Sequence, residues 1–222
     1  MTTDNFIHFS IDDVWRSFRY ISNNKPNSIF DLNLYGQLLQ WHKKYGLKVT
    51  LYLIACSEDY LISEIPEKYK SDFADNKDWL RFGFHSKSKL SFREDSGYKA
   101  GYELVQSTIK KMNMGETDTL RLHSWFCSAE QKAFLYDEGI KTIFYPDDDC
   151  LKYDKNDLFL DCGLIHRRTR CWVEKMDHID EEHCFVDKEY VSVFTHEWCF
   201  DEQKDKIECL LEIYKKAGFS FL

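Results

Sequence analysis

Apolar, β-rich runs recur along this chain and break off at an Asp or a His. Phe6 to Ile11 stops at Asp12-Asp13, Leu80 to Phe84 at His85, Thr119 to Leu122 at His123, and Val191 to Thr195 at His196-Glu197, while Lys141 to Tyr145 ends just before Asp147-Asp148. Parallel strands of an α/β barrel or doubly wound sheet present their C-terminal ends to one face, where catalytic groups collect. An Asp pair and three His arriving there from separate strands make a metal or acid/base site. The alternative is a set of polar residues that merely cap buried strands.

The segments between these runs read as helices. Asp31 to Tyr45 places Tyr35, Leu38, Leu39, His42 and Tyr45 on one stripe before Gly46, and Gly97 to Met112 places Gly101, Val105, Thr108, Ile109 and Met112 inward before Met114-Gly115. Ser128 and Gln131 form a capping box for a helix that stops at Gly139. Asp201 to Ala217 is acidic at its start and basic at its end, as the helix dipole prefers. Leu47 to Cys56 is a buried strand, and Phe219 to Leu222 a short closing one.

Three stretches are less regular. Val14 to Lys25 reads as a long connection whose Trp15, Arg16, Phe18 and Arg19 either form a sugar-stacking wall or pack inward. Ser57 to Asp78 suggests short helices around Tyr60 and Tyr69, and Tyr153 to Val186 short strands at Leu158 to Leu160 and Cys171 to Val173. Without repeats or linkers, one α/β domain over residues 1–222 is expected.

Composition narrows the function. With 43% hydrophobic and 16% aromatic residues the chain is globular, and a net charge of −8 without a Lys/Arg block excludes a duplex-binding surface. The short Arg167-Arg168-Thr169-Arg170 cluster reads as a solvated loop. Eight cysteines scattered without a CxxC pair do not form a zinc ribbon or a disulfide framework. Met1 to Asn5 lacks the basic and apolar regions of a signal peptide, and no run approaches transmembrane length, so a reducing, cytoplasmic setting without membrane contact is expected. An uncharged carbohydrate or other small molecule is the expected partner.

A carboxylate and imidazoles on one rim suit zinc or another first-row divalent metal that activates water. Adjacent Asp side chains point to opposite faces of an extended strand, so one can hold metal while its neighbour serves as base. Phe9-Ser10-Ile11-Asp12-Asp13-Val14 resembles the T-F-D-D-G motif of the polysaccharide deacetylases of carbohydrate esterase family four. Gly83 to Lys89 resembles their H-[ST]-x-x-H motif, Arg121-Leu122-His123-Ser124-Trp125 their R-x-P-Y-x motif, and Val193 to Glu197 the late L-x-H motif, over about residues 6 to 200.

The resemblance implies a distorted, partly open (β/α) barrel with Asp12 as general base, Asp13 and His85 as metal ligands, Arg121 orienting the base, and His196 as general acid. Lys89 stands where the second metal histidine belongs, Val14 replaces a glycine, and His123 replaces a proline. A protonated Lys cannot ligate metal. Either His123 completes the metal site, or the site has lapsed and the cleft binds a glycan or small molecule without hydrolysing it. Metal-free acid/base chemistry on a sugar is a third possibility. Among the remaining histidines, His8 reads as a hydrogen-bonded core residue, His42 as a helix-edge residue, and His178 and His183 as loop surface; Cys127 and Cys199 read as inert.

Overall fold

The computed structural model of the protein describes residues 5–57, 59–88, 97–123, 127–145 and 157–222. Strand β1 (Phe6–Val14) leads through α1 (Arg16–Asn24) and α2 (Asn33–Tyr45) to β2 (Val49–Ser57). The short β3 (Tyr60–Leu61) and α3 (Lys70–Ala74) precede β4 (Leu80–Ser88) and α4 (Tyr98–Met112). Next come β5 (Gly115–Glu116), β6 (Thr119–Arg121), α5 (Ala129–Asp137) and β7 (Thr142–Tyr145). The last third holds β8 (Leu158–Asp161), β9 (Leu164–Arg168), β10 (Cys171–Trp172), β11 (Tyr190–His196), α6 (Phe200–Lys216) and β12 (Ser220–Phe221).

One sheet runs β10-β11-β1-β2-β4-β5 with every neighbour parallel; β12 joins β1 in parallel, and β3 pairs antiparallel with β2. A second runs β6-β7-β9-β8, with β8 alone antiparallel. Among the described residues no strand pairing joins the two sheets. The result is the partly open (β/α) barrel that the sequence suggested.

Parallel strands covered on both faces are apolar throughout, and β1, β2 and β4 bury nearly every side chain. Helices α2, α4 and α6 each turn one stripe inward. Trp41 of α2, fully buried, meets Phe200 of α6 edge-on at 5.7 Å. Gly101, Val105, Thr108, Ile109 and Met112 are the buried face of α4, as their spacing predicts. Ser128 and Gln131 form the expected capping box on α5.

Several local expectations fail. Residues 16–24 are a helix rather than a loop, because Phe18 and Ile21 are fully buried and the Glu197 carboxylate accepts the N–H groups of Trp15, Arg16 and Ser17 at 2.9, 2.7 and 2.8 Å. Phe18 therefore packs inward, stacked on Phe73 at 6.1 Å. Tyr60 lies in a strand, and the helical turns follow it at Ile62–Glu64 and Glu67–Tyr69. Strand β4 continues past His85 to Ser88, and Gly115 opens a strand instead of closing a helix, which stops at the left-handed Asn113.

Asp13 of β1 is not in extended backbone either. Ile11 pairs with Leu51 and Val14 with Leu53, so β1 carries one extra residue, and Asp13 takes up the turn at φ 57°. This is a β-bulge, which re-aims side chains locally. On β4 the pairing steps from Leu53–Phe84 to Ile54–Ser86, leaving His85 at a second bulge.

No helix among the described residues is long and apolar enough to cross a membrane. Among the described residues, Cys56, Cys162, Cys184, Cys199 and Cys209 carry free thiols.

Candidate functional site

The bulge at Asp13 lets both carboxylates reach the rim, which a regular strand forbids. Asp13 Oδ1 lies 3.2 Å from His85 Nε2 and 3.2 Å from His123 Nδ1. His85 arrives from the bulge in β4, and His123 sits just past the end of β6. The three donor atoms are all within 4.8 Å of one another. Ligands about 2.1 Å from a cation and roughly 100° apart stand about 3.2 Å from each other, so the spacing fits a zinc-sized ion.

The surroundings fit as well. His85 Nδ1 donates to the Arg121 carbonyl at 2.6 Å, which reserves Nε2 for the cluster, an arrangement common to metal-binding histidines. Burial works to raise the Asp13 pKa, but hydrogen bonds from His123 and His85 outweigh it and hold the carboxyl below its usual range. Burial works against a charged His85 too, yet the Asp13 bond and the Asp12 and Asp13 charges raise its pKa on balance. A cation at this place takes over the positive charge that the protonated imidazole otherwise supplies.

Asp12 faces a different environment. It is 1% exposed, its Oδ2 lies 3.3 Å from Arg121 Nε, and its Oδ1 has no hydrogen-bond partner among the described residues. Burial raises its pKa against the pull of Arg121, and it also feels the charges of His85 and His196. Fully buried Arg121 is fixed in turn by donation to Thr169 Oγ1 at 2.9 Å and Ser192 Oγ at 3.2 Å, with its guanidinium 4.3 Å from the Phe194 ring centroid. Two neighbouring carboxylates thus have opposite pKa directions, which suits one as ligand and the other as base.

Asp12 pairs in register with His196, so the strand next to β1 brings the His196 imidazole alongside. His196 Nδ1 donates to Glu174 Oε1 at 2.9 Å, leaving Nε2 as its other ring nitrogen. The same oxygen accepts the His196 backbone N–H at 2.7 Å and Thr195 Oγ1 at 3.1 Å. Trp172 and Trp198 flank the imidazole at 5.7 and 5.3 Å, and Trp198 is 52% exposed.

No family model and no curated protein matches the sequence. Solved structures do match. A chitin deacetylase from the fungal pathogen Colletotrichum lindemuthianum aligns with 12% identity and a TM-score of 0.56 over 100% of this chain and 86% of its own. A family-four pseudoenzyme from Bacillus anthracis aligns with 10% identity and a TM-score of 0.54 over 100% and 64%. A 4-alpha-glucanotransferase from Thermococcus litoralis gives 12% and 0.63 over 100% and 39%. The chain has the polysaccharide deacetylase fold, with degenerate motifs.

Within that deacetylase fold, Asp12, Asp13, His85, Arg121, His123 and His196 all lie at one end of the parallel strands. They form two clusters rather than one. Asp13, His85 and His123 make the first, and His196 belongs to a second with Glu174 and Cys199. Lys89 and Asp147-Asp148 lie outside the described residues. His8 stays in the core, stacked on Phe144 at 4.3 Å and 3.3 Å from the Tyr52 hydroxyl. His42 bonds the Leu47 carbonyl at 2.8 Å, while His183 is paired with Asp180 in an exposed turn. His166 is buried between Tyr145 and Phe159, at 5.1 and 4.5 Å, away from both clusters.

Sequence reasoning missed Glu174 and the supports of Arg121. Glu174 sits in the turn Val173–Lys175 after a two-residue strand, in the stretch with no readable periodicity. The only available signal was its place just after the apolar Cys171-Trp172-Val173 run, another acidic residue at a strand end.

Proposed function

We propose that the chain is a metal-dependent hydrolase of the deacetylase type, removing an acyl group from an amino sugar or a related amide. The observation that carries this reading is the convergence of Asp13, His85 and His123 from three separate strands, next to a buried Asp12 with a raised pKa. Asp13, His85 and His123 would hold the cation, for which zinc is the best match to a two-nitrogen, one-carboxylate donor set. When bound, such a cation polarises a carbonyl and makes water more acidic.

The residues of the chain do the rest. Asp12, oriented by Arg121, takes the proton of the attacking water; its raised pKa brings it nearer the working pH, where a general base is most effective. The water oxygen bonds to the acyl carbon, and the carbon–nitrogen bond breaks. His196 gives a proton to the departing amine, with Glu174 holding Nδ1 so that Nε2 faces the reaction. A free amine and a carboxylate leave. Trp198, exposed and stacked on His196, offers an aromatic face to the apolar side of a sugar ring. Free thiols and the net charge of −8 support a reducing, cytoplasmic setting without nucleic acid.

Protein stripped with a chelator and reloaded with one equivalent of zinc should release acetate from N-acetylglucosamine oligomers, and Asp12→Asn should abolish release while keeping the metal. Full activity in Asp12→Asn sinks the assignment of the base. The departures at Val14, Lys89 and His123 favour a second reading, a non-catalytic glycan-binding relative. It predicts saturable binding of the same oligomers and no acetate release from the zinc-loaded protein.

A further inference from the structure

We infer that Glu174, His196 and Cys199 form a second cation site, selective for soft divalent ions such as zinc or cobalt. The three donor atoms lie within 4.8 Å of one another. Glu174 Oε1 is shared, 2.9 Å from His196 Nδ1 and 2.7 Å from Cys199 Sγ. Asp13 Oδ1 is shared between two imidazoles in the same way in the first cluster. His196 and Cys199 are three residues apart, joined by the helical turn Glu197–Cys199, so two ligands come from one rigid local unit.

Two further features point to a ligand. The other carboxylate oxygen, Glu174 Oε2, is buried and has no hydrogen-bond partner among the described residues. A buried acceptor left unpaired is costly, and a cation satisfies it. Oε1 is itself oriented by Thr195 Oγ1 and the His196 N–H, the kind of support that fixes metal ligands. A thiolate, an imidazole and a carboxylate select zinc, cobalt or copper over magnesium and calcium, which take oxygen ligands.

The proton balance is explicit. Cys199 is protonated in the free protein and donates to Glu174. Binding forms a metal–sulfur bond, breaks the S–H bond and releases one proton to solvent. The Nδ1 proton of His196 moves to Nε2, so the ring releases none. Occupied, the site removes His196 from acid catalysis, so acetate release should fall once zinc exceeds the equivalent held by Asp13, His85 and His123. That consequence rests on the proposed hydrolase reading; cation binding does not.

Cobalt chloride titrated into the reduced, chelator-stripped full chain tests the site. Asp13, His85 and His123 carry no sulfur, so a near-ultraviolet sulfur-to-cobalt charge-transfer band reports the second site alone. In Asp13→Ala, where the first cluster is disabled, the band should saturate at one equivalent with release of one proton; it should also appear in the wild type and vanish in Cys199→Ser. Glu174→Gln keeps the thiol and should weaken the band-forming step by at least the roughly 10- to 100-fold that loss of a supporting group costs. It decides the matter if Cys199→Ser does not fold. Absence of the band in the wild type, its survival in Cys199→Ser, or unchanged affinity in Glu174→Gln overturns the site. Failure of acetate release leaves these optical results unaffected.

Discussion

The Asp12 carboxylate and the Arg121 guanidinium form an ion pair, Oδ2 to Nε 3.3 Å, that is sealed from solvent. Removing one partner of such a pair strands the other charge at a cost of about 3–5 kcal/mol, whereas removing both is often nearly neutral. Arg121→Met should therefore lower unfolding stability by about 3–5 kcal/mol, and Asp12→Asn/Arg121→Met should recover much of it. Urea unfolding of the single and double variants decides the point. Strictly additive losses would show that the pair is not coupled.

The first cluster predicts a pH signature in metal-free protein. Asp13 is held below its ordinary pKa, so its contribution is present above the unfolded value near 3.9 and is lost as pH falls through the folded value. His85 is raised, so its contribution is complete below its unfolded value near 6.5 and is lost as pH rises through the folded value. Both are in force between about pH 4 and 6.5. Asn tolerates the left-handed backbone that Asp13 adopts, so Asp13→Asn removes the charge without adding strain. The stability difference between wild type and Asp13→Asn should peak inside that window and shrink on both sides. A difference independent of pH in chelator would mean that Asp13 does not hold a charged His85. With zinc added the gain should instead grow with pH, because the cation competes with the His85 proton.

Helix α1 begins on the carboxylate of Glu197, 180 residues or more along the chain, which accepts three backbone N–H groups. A carboxylate at a helix start satisfies unpaired donors and complements the dipole. Glu197→Gln should cost about 1–2 kcal/mol and lower Tm by roughly 2–8 °C. An unchanged Tm would show that α1 is held by Phe18 and Ile21 alone.

That long-range cap also explains what could be read from the sequence and what could not. The strands carrying Asp12, His85 and His196, and the run leading to His123, were legible because burial on both faces demands continuous apolar runs, and a polar residue that interrupts one stands out. Helix α1 was not, because only Ser17, Phe18 and Ile21 of it are buried and its cap comes from the other end of the chain. The bulges at Asp13 and His85 leave no trace either, since a single extra residue changes no local pattern. They matter most for the site. Without the bulge at Asp13, Asp12 and Asp13 would face opposite sides of β1, as the sequence alone suggests.

The last prediction concerns the ligand that this chain lacks at Lys89. His123 Nδ1 is already 3.2 Å from Asp13 Oδ1, so this histidine can complete the set that Lys89 leaves open. His123→Ala should weaken zinc binding by about 3–5 kcal/mol, roughly a third of the ~10–16 kcal/mol gained by a complete zinc site. Lys89→Ala should leave affinity unchanged. Because the second cluster also takes zinc, these titrations belong in a Cys199→Ser background, where the first cluster alone is read. If the site has lapsed, neither change will alter a negligible affinity, and Lys89→His should create binding by restoring the family spacing to His85. Tight binding by His123→Ala together with no gain from Lys89→His would exclude both accounts and leave water or another rim residue as the third ligand.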